Sequence, residues 1–427
     1  MLNMNPSDYT CIYSTLTFIA DQCRKFNIKT PSVTFDQPLW LKATEIVVDN
    51  SMDIVVHLGG FHTLMSFVGS IGSLMDASGL SDVLQIIYGE NTVKHMVSGK
   101  AIARAIRGHI LVETALHLRL QKMILEESTN AEAPSMSEAE ILELKSSLGS
   151  LGNISELPVV KKFVDCIDAL KVELASKSRT AKLWLQYMEY VEIMRQYIRA
   201  ARTGDWHLSL STLQKMLNLF AATGHINYAK SARLYLQLML ELPLSHPWLY
   251  ENISTKGFHF IRRSDKFWSG LWPDIIIEQV LMRSVKSRGG LTRGRGMSES
   301  VCMLWIRSMH YCGSLHQSLS TLTDHTHSTS DQHAELGHSR MKRDHDDLQK
   351  VSDWFEERNP FDANREVLQS LSSGLTADEI INCDNSEGIG REIHQKLNDL
   401  QFSKCSIKRS DQVSTFGKMK NGFRDFF

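Results

Sequence analysis

The sequence predicts a mixed, predominantly α-helical fold, in which a large all-helical insertion interrupts a small α/β core. Two short β-prone runs lie among helical segments in the first 78 residues. From about residue 81 to residue 242, apolar residues recur at helical spacing over long segments. A short helix and a basic, glycine-rich stretch follow between residues 256 and 296, where we expect the chain to return to the core.

Composition limits the class of protein. The 427 residues are 42% apolar, which is enough for sizeable cores, and 47 basic residues nearly cancel 48 acidic ones. Net charge therefore favours neither nucleic acid nor membrane as a partner. Seven cysteines without a C-x-x-C pair, and no basic-then-apolar leader, predict a reducing compartment, either nucleus or cytosol. No apolar run approaches the roughly 18 residues of a membrane span.

Residues 1–78 predict the order helix, strand, helix, strand, helix, which is typical of α/β folds. The predicted elements are a helix over residues 9–26, a strand at "SVTF", a helix over 39–48, a strand at "DIVVHL" and a helix over 63–75. The first strand lies between Pro31 and Pro38, and Gly59-Gly60 ends the second.

The rest of the chain divides into three regions. Residues 79–255 predict the all-α insertion, with a surface loop near 126–137. Residues 256–296 predict a short strand, a helix over 273–286 and a basic loop. Residues 297–427 predict a helical and polar region. In it, the Ser/His/Asp-rich segment 313–346 is a linker or exposed helix end, and Thr376 with Glu379 forms a capping box that opens a short helix.

Three residues are candidates for a catalytic site. Asp36 ends the first strand, where α/β proteins bind ligands, but it could equally be the N-cap of the next helix. His62 follows two glycines at the start of an apolar helix, as a catalytic or metal-binding group or as a structural histidine. Glu278 lies in the apolar run "DIIIEQVLM", so it must be solvated, paired or bound to a metal.

Two further clusters are candidates for binding. The densest basic patch suits phosphate contacts, although a solvated loop remains the alternative. It consists of Arg283, Lys286, Arg288, Arg293 and Arg295. The basic set Arg195, Arg199 and Arg202 predicts an ordinary helix face. A polar cluster could in principle hold a metal, but its surroundings lack structure. It consists of Asp324, His325, His327, His333 and His338.

Several motifs resemble those of a large group of uncharacterised animal proteins derived from mobile elements. They include "VTFDQPLWLKA", "LGGFHTLMSFVGSIG", "HMVSGKAIARAIRGH", "RTGDWHLSL" and "IEQVLMRSVKSRGGLTRGRG", and the resemblance spans residues 3–413. A looser resemblance is to Mutator-like cut-and-paste transposases with an RNase H-like core. In their order of motifs, Asp36 is similar to the second metal-binding acid, His62 to the histidine of a C-x-x-H motif, and Glu278 to the last acid.

The looser resemblance implies an incomplete RNase H-like core. Gly59 stands where the family has cysteine and Leu281 where it has asparagine, and the first carboxylate would lie upstream of Tyr9. We therefore expect either a truncated chain or a different strand assignment for Asp36. Such cores use two divalent metals about 3.5–4 Å apart, normally held by three carboxylates. The resemblance implies Mg²⁺ or Mn²⁺ bound by Asp36 and Glu278, with His62 organising the site.

These observations together predict a transposable-element-derived, transposase-like DNA-binding protein that is catalytically incomplete. Its expected partner is DNA, its expected location is the nucleus or otherwise the cytoplasm, and an oligomer is possible. The alternative is a non-catalytic helical scaffold or protein-interaction protein in which Asp36 is only a helix cap.

Overall fold

The computed structural model describes residues 5, 7–126, 136–147, 154–278, 300, 304, 311, 318, 322, 337–362 and 366–402. Within them the fold is predominantly helical, as predicted, and the strands are few and short. None of the helices in this part of the chain is both long and apolar enough to cross a membrane.

The N-terminal region forms a β-α-β unit between two further helices, in the predicted order. Its elements are α1 (Tyr9–Lys25), β1 (Ser32–Phe35), α2 (Gln37–Asp49), β2 (Val55–Leu58) and α3 (Gly60–Leu74). The two strands are parallel, with Ser32 opposite Val55 and Phe35 opposite Leu58. Parallel pairing needs a crossover connection, which α2 supplies. All four residues of β2 are buried, so this strand lies inside the protein.

Helices make up the middle of the chain. They are α4 (Leu80–Gln85), α5 (Glu90–Val97), α6 (Ile102–Glu126), α7 (Glu138–Ser147), a 3-10 turn (Ile154–Glu156), α8 (Pro158–Lys177), α9 (Arg179–Thr203), α10 (Trp206–Ala222), α11 (Ile226–Ser245) and α12 (Pro247–Lys256). Among the described residues, a short antiparallel hairpin and further helices follow. They are β3 (Ile261–Arg262), β4 (Gly270–Leu271), α13 (Pro273–Ile276), α14 (His338–Glu357) and α15 (Ser386–Phe402).

One apolar core connects the two strands with the helical middle. It runs from Ile12 in α1 to Ile393 in α15 and includes fully buried Trp40, Trp184 and Trp206. Helices α9 and α10 pack on α3, and α11 packs on α2 and β2. A smaller cluster lies around α7 and α8. The regions predicted to divide at residues 78 and 255 therefore share a continuous core.

One local prediction about the C-terminal region is wrong. Thr376 opens no helix. It forms an isolated β-bridge with Gln369, and α15 begins only at Ser386, whose hydroxyl lies 2.9 Å from the Tyr190 hydroxyl. The His-rich segment 313–346 is predicted as a linker or an exposed helix end, and its residues from His338 onward form the exposed start of α14, which packs on α6. Arg107 of α6 holds α14 by bonding two of its acids, Asp344 and Asp347.

Candidate functional site

The carboxyl ends of β1 and β2 lie side by side. Phe35 and Leu58 are paired at the ends of the two strands, so the residues that follow them, Asp36 and Gly59, are neighbours. The backbone N–H of Gly59 donates to the carbonyl oxygen of Phe35 at 2.7 Å. The structure thus brings Asp36 and the start of α3 to one corner of the molecule, as expected for parallel strands.

Asp36 is the N-cap of α2. Its Oδ1 accepts a hydrogen bond from the backbone N–H of Leu39 at 3.3 Å, and its own backbone is extended, as is usual for a capping residue. Pro38 stands in the first turn of the helix, where a missing N–H costs nothing. The interpretation of Asp36 as a helix cap is therefore confirmed, and the capping hydrogen bond engages one of its two carboxylate oxygens.

An acid that sequence analysis did not single out, Asp274 of α13, organises the start of α3. Its side chain is buried, and Oδ1 accepts from the backbone N–H of Phe61 at 3.2 Å. Oδ2 lies 3.1 Å from both the backbone nitrogen and Nδ1 of His62. The first N–H groups of a helix have no partner within it, and the N-cap Gly59 has no side chain to offer them. Asp274, which follows the helical insertion in the sequence, therefore caps α3.

The two glycines of the corner make room for this return of the chain. A Cβ atom on Gly59 would lie 2.6 Å from Oδ2 of Asp274, and one on Gly60 would lie 2.1 Å from Cδ1 of Trp272. The Trp272 indole is in turn stacked on the ring of Tyr197 in α9, with centroids 5.2 Å apart. Residues 59 and 60 must therefore lack side chains if residues 272–274 are to reach α3.

His62 is the electrostatic centre of the corner. Its hydrogen bond to Asp274 raises the pKa of the imidazole above its ordinary value, against the effect of burial, which lowers it. The negative charges of Asp274, Asp36 and Glu278 raise this pKa further. Since both of the predicted metal-binding acids act on His62, the three predicted site residues share one neighbourhood. Glu278 is exposed there, just beyond the end of α13.

The available ligands fit a metal only in part. Among the residues that the structure describes, no three histidine, cysteine or acidic side chains form a group that could hold a metal ion. Asp274 already accepts three N–H groups, so Asp36 and Glu278 remain as possible ligands. Mg²⁺ commonly keeps several waters and binds through one or two carboxylates. Two carboxylates are fewer than the three that normally hold paired metals, so the described residues do not form a closed three-carboxylate site.

The other predicted clusters contribute little to the described structure. The basic patch of Arg283, Lys286, Arg288, Arg293 and Arg295 lies outside the described residues, as do Asp324, His325, His327 and His333. His338 opens α14. Arg195 binds Glu113 of α6 at 3.2 Å and Glu192 of its own helix at 3.1 Å, which agrees with a helix-face role. Burial raises the pKa of Glu113 to about 7.

Two buried histidines, one in β2 and one just before β3, lie against each other. The rings of His57 in β2 and His259 are 4.6 Å apart, and Nδ1 of His57 lies 3.0 Å from the Tyr235 hydroxyl. Burial lowers the pKa of His57 well below its ordinary value and that of His259 to about 4, so both are neutral near pH 7. Composition alone did not mark these residues, because neither lies in a recognisable motif.

Comparison with known families gives one finding. A family model described as "Domain of unknown function (DUF8702)" matches residues 1–424. No curated protein and no solved structure matches the chain.

Proposed function

The chain belongs to the DUF8702 family, and we propose that it is a transposable-element-derived, transposase-like DNA-binding protein with an incomplete metal-dependent core. One observation supports this proposal: Asp36 and the helix start that carries His62 follow the carboxyl ends of two parallel strands, and the negative charges of Asp36 and Glu278 both raise the pKa of His62. Glu278 arrives there only after the intervening helices α4 to α12, in the chain order of an RNase H-like core with a helical insertion.

In this proposal Asp36 and Glu278 hold a divalent cation, Mg²⁺ or Mn²⁺, and His62 positions the corner. A divalent cation in such a core supplies an activated hydroxyl and stabilises the oxygen that leaves. Two carboxylates are fewer than the three usual for paired metals, so we propose weak metal binding and no efficient strand transfer by these residues alone. His62 already donates to Asp274, which fixes its ring against α3.

DNA is the partner that we propose. The cations Arg283, Lys286, Arg288, Arg293 and Arg295 follow Glu278 in the sequence, and side chains of this type suit contacts with phosphates. Binding through phosphates would be largely independent of DNA sequence and sensitive to salt. We propose the nucleus as the compartment in which the protein meets DNA.

A Mn²⁺ titration tests the metal site. We expect Asp36→Asn and Glu278→Gln each to weaken Mn²⁺ binding at least about tenfold, because even groups that only support a ligand change metal affinity by about 10- to 100-fold. Asparagine caps helices as well as aspartate, so Asp36→Asn should unfold like the wild type. The control is Asp76→Asn, at an exposed acid outside the corner. Equal affinity in all four proteins would rule the metal site out.

Fluorescence anisotropy with labelled duplex DNA tests the binding role. We expect the triple variant Arg288→Ala, Arg293→Ala, Arg295→Ala to bind more weakly and with a salt dependence reduced by about 0.9 per lost phosphate contact. A control variant removes the same charge from the exposed cations Arg24, Lys25 and Lys29 near the end of α1. If the two variants bind alike, the basic patch is not the phosphate-binding surface.

One observation favours the alternative of a non-catalytic helical scaffold. Asp36 caps α2, and Asp274 accepts three hydrogen bonds at the start of α3, so Asp36 and Asp274 both have a structural role. A scaffold would show neither Mn²⁺ binding at the corner nor affinity for DNA, so the same two experiments decide between the two functions.

A further inference from the structure

The β3–β4 hairpin projects from a firmly held base. His259 and Phe260 before it are buried, as is Trp272 after it. Gly270 packs so closely on α9 that a Cβ atom there would lie within 2.1 Å of the carbonyl oxygen of Ala201. The hairpin cannot lie elsewhere without disturbing the core, and its outer residues are presented in a defined place.

The outer part of the hairpin is exposed and aromatic. Residues 261–268 are all exposed, although the buried residues on either side show that the core lies just beneath. Phe267 is 69% exposed and Trp268 is 46% exposed, and Phe258 just before β3 is 61% exposed. Neighbouring large aromatic side chains left in water are typical of a binding surface.

The same segment is basic. It carries Lys256, Arg262, Arg263 and Lys266 against the single acid Asp265, in a chain whose charges otherwise balance. Within the described residues, none of these five groups takes part in an ion pair. The Arg262 guanidinium donates to the carbonyl oxygen of Lys266 at 2.9 Å, which holds the turn closed.

We propose that the β3–β4 hairpin binds single-stranded DNA, with Phe267 and Trp268 stacked on unpaired bases and Arg262, Arg263 and Lys266 on phosphates. Exposed aromatic rings among cations are the usual platform for single strands, because every base offers a ring face once it is unpaired. In a duplex those faces are covered by neighbouring bases. A membrane surface fits less well, since Asp265 at the tip would have to enter it.

The hairpin lies close in the sequence to the residues of the corner. Only Trp272 and Pro273 separate the hairpin from Asp274, which bonds His62. A strand held on the hairpin would therefore pass near the corner formed by Asp36, His62 and Glu278. This inference rests on the proposed function, because it assigns the single-stranded part of the DNA to a surface of its own.

The test uses the full chain and a fluorescein-labelled 20-nucleotide oligo-dT. We expect the double variant Phe267→Ala, Trp268→Ala to bind about 10- to 100-fold more weakly than the wild type by anisotropy. The matched control is Phe18→Ala, which removes an aromatic side chain of 63% exposure from α1, and it should bind as the wild type does. Circular dichroism confirms that each variant is folded.

A second variant separates stacking from mere shape. Trp268→Phe keeps an aromatic ring, so its affinity should stay within about threefold, while the quenching of tryptophan fluorescence on binding should be largely lost. Arg262→Gln with Arg263→Gln should reduce the salt dependence of oligo-dT binding by about 0.7 for each phosphate contact removed.

The outcomes distinguish this inference from the proposed function. If the wild type binds neither oligo-dT nor duplex, both fail. If it binds DNA and the double variant binds oligo-dT equally well, only the hairpin assignment fails. An equal loss of duplex affinity in the double variant overturns the preference for unpaired bases. Binding to phosphatidylserine vesicles that depends on Phe267 and Trp268, with oligo-dT binding unchanged, overturns DNA as the partner.

Discussion

Replacing Asp274 tests how the corner is built. Asp274→Ala removes the acceptor of two backbone N–H groups of α3 and of the His62 imidazole. The side chain is buried, so water cannot fully replace the lost carboxylate. Asp274→Asn is the milder change, because the amide oxygen can still accept from one N–H group while the charge is lost.

The expected magnitude follows from these three contacts. Loss of a helix cap costs about 1–2 kcal/mol. Loss of a hydrogen bond to a charged group costs about 1.5–3 kcal/mol. We therefore expect Asp274→Ala to lower the free energy of unfolding by about 2.5–5 kcal/mol and Asp274→Asn to lower it by roughly half as much.

The part that His62 contributes depends on pH. The pKa of His62 is raised in the folded protein, so folding favours the protonated imidazole, which pairs with Asp274. Stability from such a group is fully present below the unfolded pKa of about 6.5 and is lost as pH rises through the higher folded pKa. The cost of Asp274→Asn should thus be larger at pH 5.5 than at pH 9, where the imidazole is neutral and its contact with Asp274 is no longer an ion pair.

Urea unfolding followed by circular dichroism, at both pH values, measures these differences. A double-mutant cycle with His62→Gln isolates the interaction between the two side chains, and the titration of other histidines cancels in the comparison. A cost below about 0.5 kcal/mol for Asp274→Ala, the level of an ordinary surface substitution, would refute the capping role. A coupling energy that is the same at pH 5.5 and pH 9 would refute the ion pair.

Two further predictions concern close packing and buried histidines. Gly60→Ala should destabilise the protein by about 1–3 kcal/mol or displace Trp272. Gly69→Ala in the same helix is the control, because the nearest atom to its added Cβ would be 3.4 Å away. In thermal or urea unfolding Gly69→Ala should be neutral or should stabilise the protein by up to about 1 kcal/mol. The lowered pKa values of His57, His109 and His259, the last two about 4, mean that stability present above pH 6.5 is lost as pH falls toward 4, by at most about 1.4 kcal/mol per pH unit and group. His109→Gln should reduce this slope and His207→Gln, at an exposed site, should not; equal slopes would contradict the buried-histidine explanation.

Short-range patterns predicted the N-terminal elements well. "SVTF" between two prolines forms β1, "DIVVHL" contains β2, and the helices around them lie within a few residues of the predicted ranges. These elements follow from local preferences that act over a few residues. The capping role of Asp36 could also be weighed from sequence, because the helix that it caps starts at the next residue.

Asp274 could not be found in this way, because its partners lie more than two hundred residues earlier in the chain. Its local setting, an acid after a proline at the start of a helix, is typical of any first helical turn. Gly59-Gly60 was visible as the end of a strand, but the sequence does not tell which side chains need the space. The shared core could not be predicted either, because its contacts are also distant in sequence. Helical spacing shows that α9 and α11 each have a buried face, but not that Tyr197 packs on Trp272 or Tyr235 on His57.

The charges of the corner connect the proposed metal and DNA sites. Asp36, Asp274 and Glu278 surround one histidine, so the corner is negative even when His62 is protonated. A negative corner attracts a divalent cation and repels phosphate, so DNA can approach it only where positive charge offsets the carboxylates. In the proposed function that charge comes from the β3–β4 hairpin, which precedes α13 in the sequence, and from the basic patch, which follows Glu278 in the sequence. Metal binding and DNA binding should therefore reinforce each other, because each removes repulsion that the other would meet.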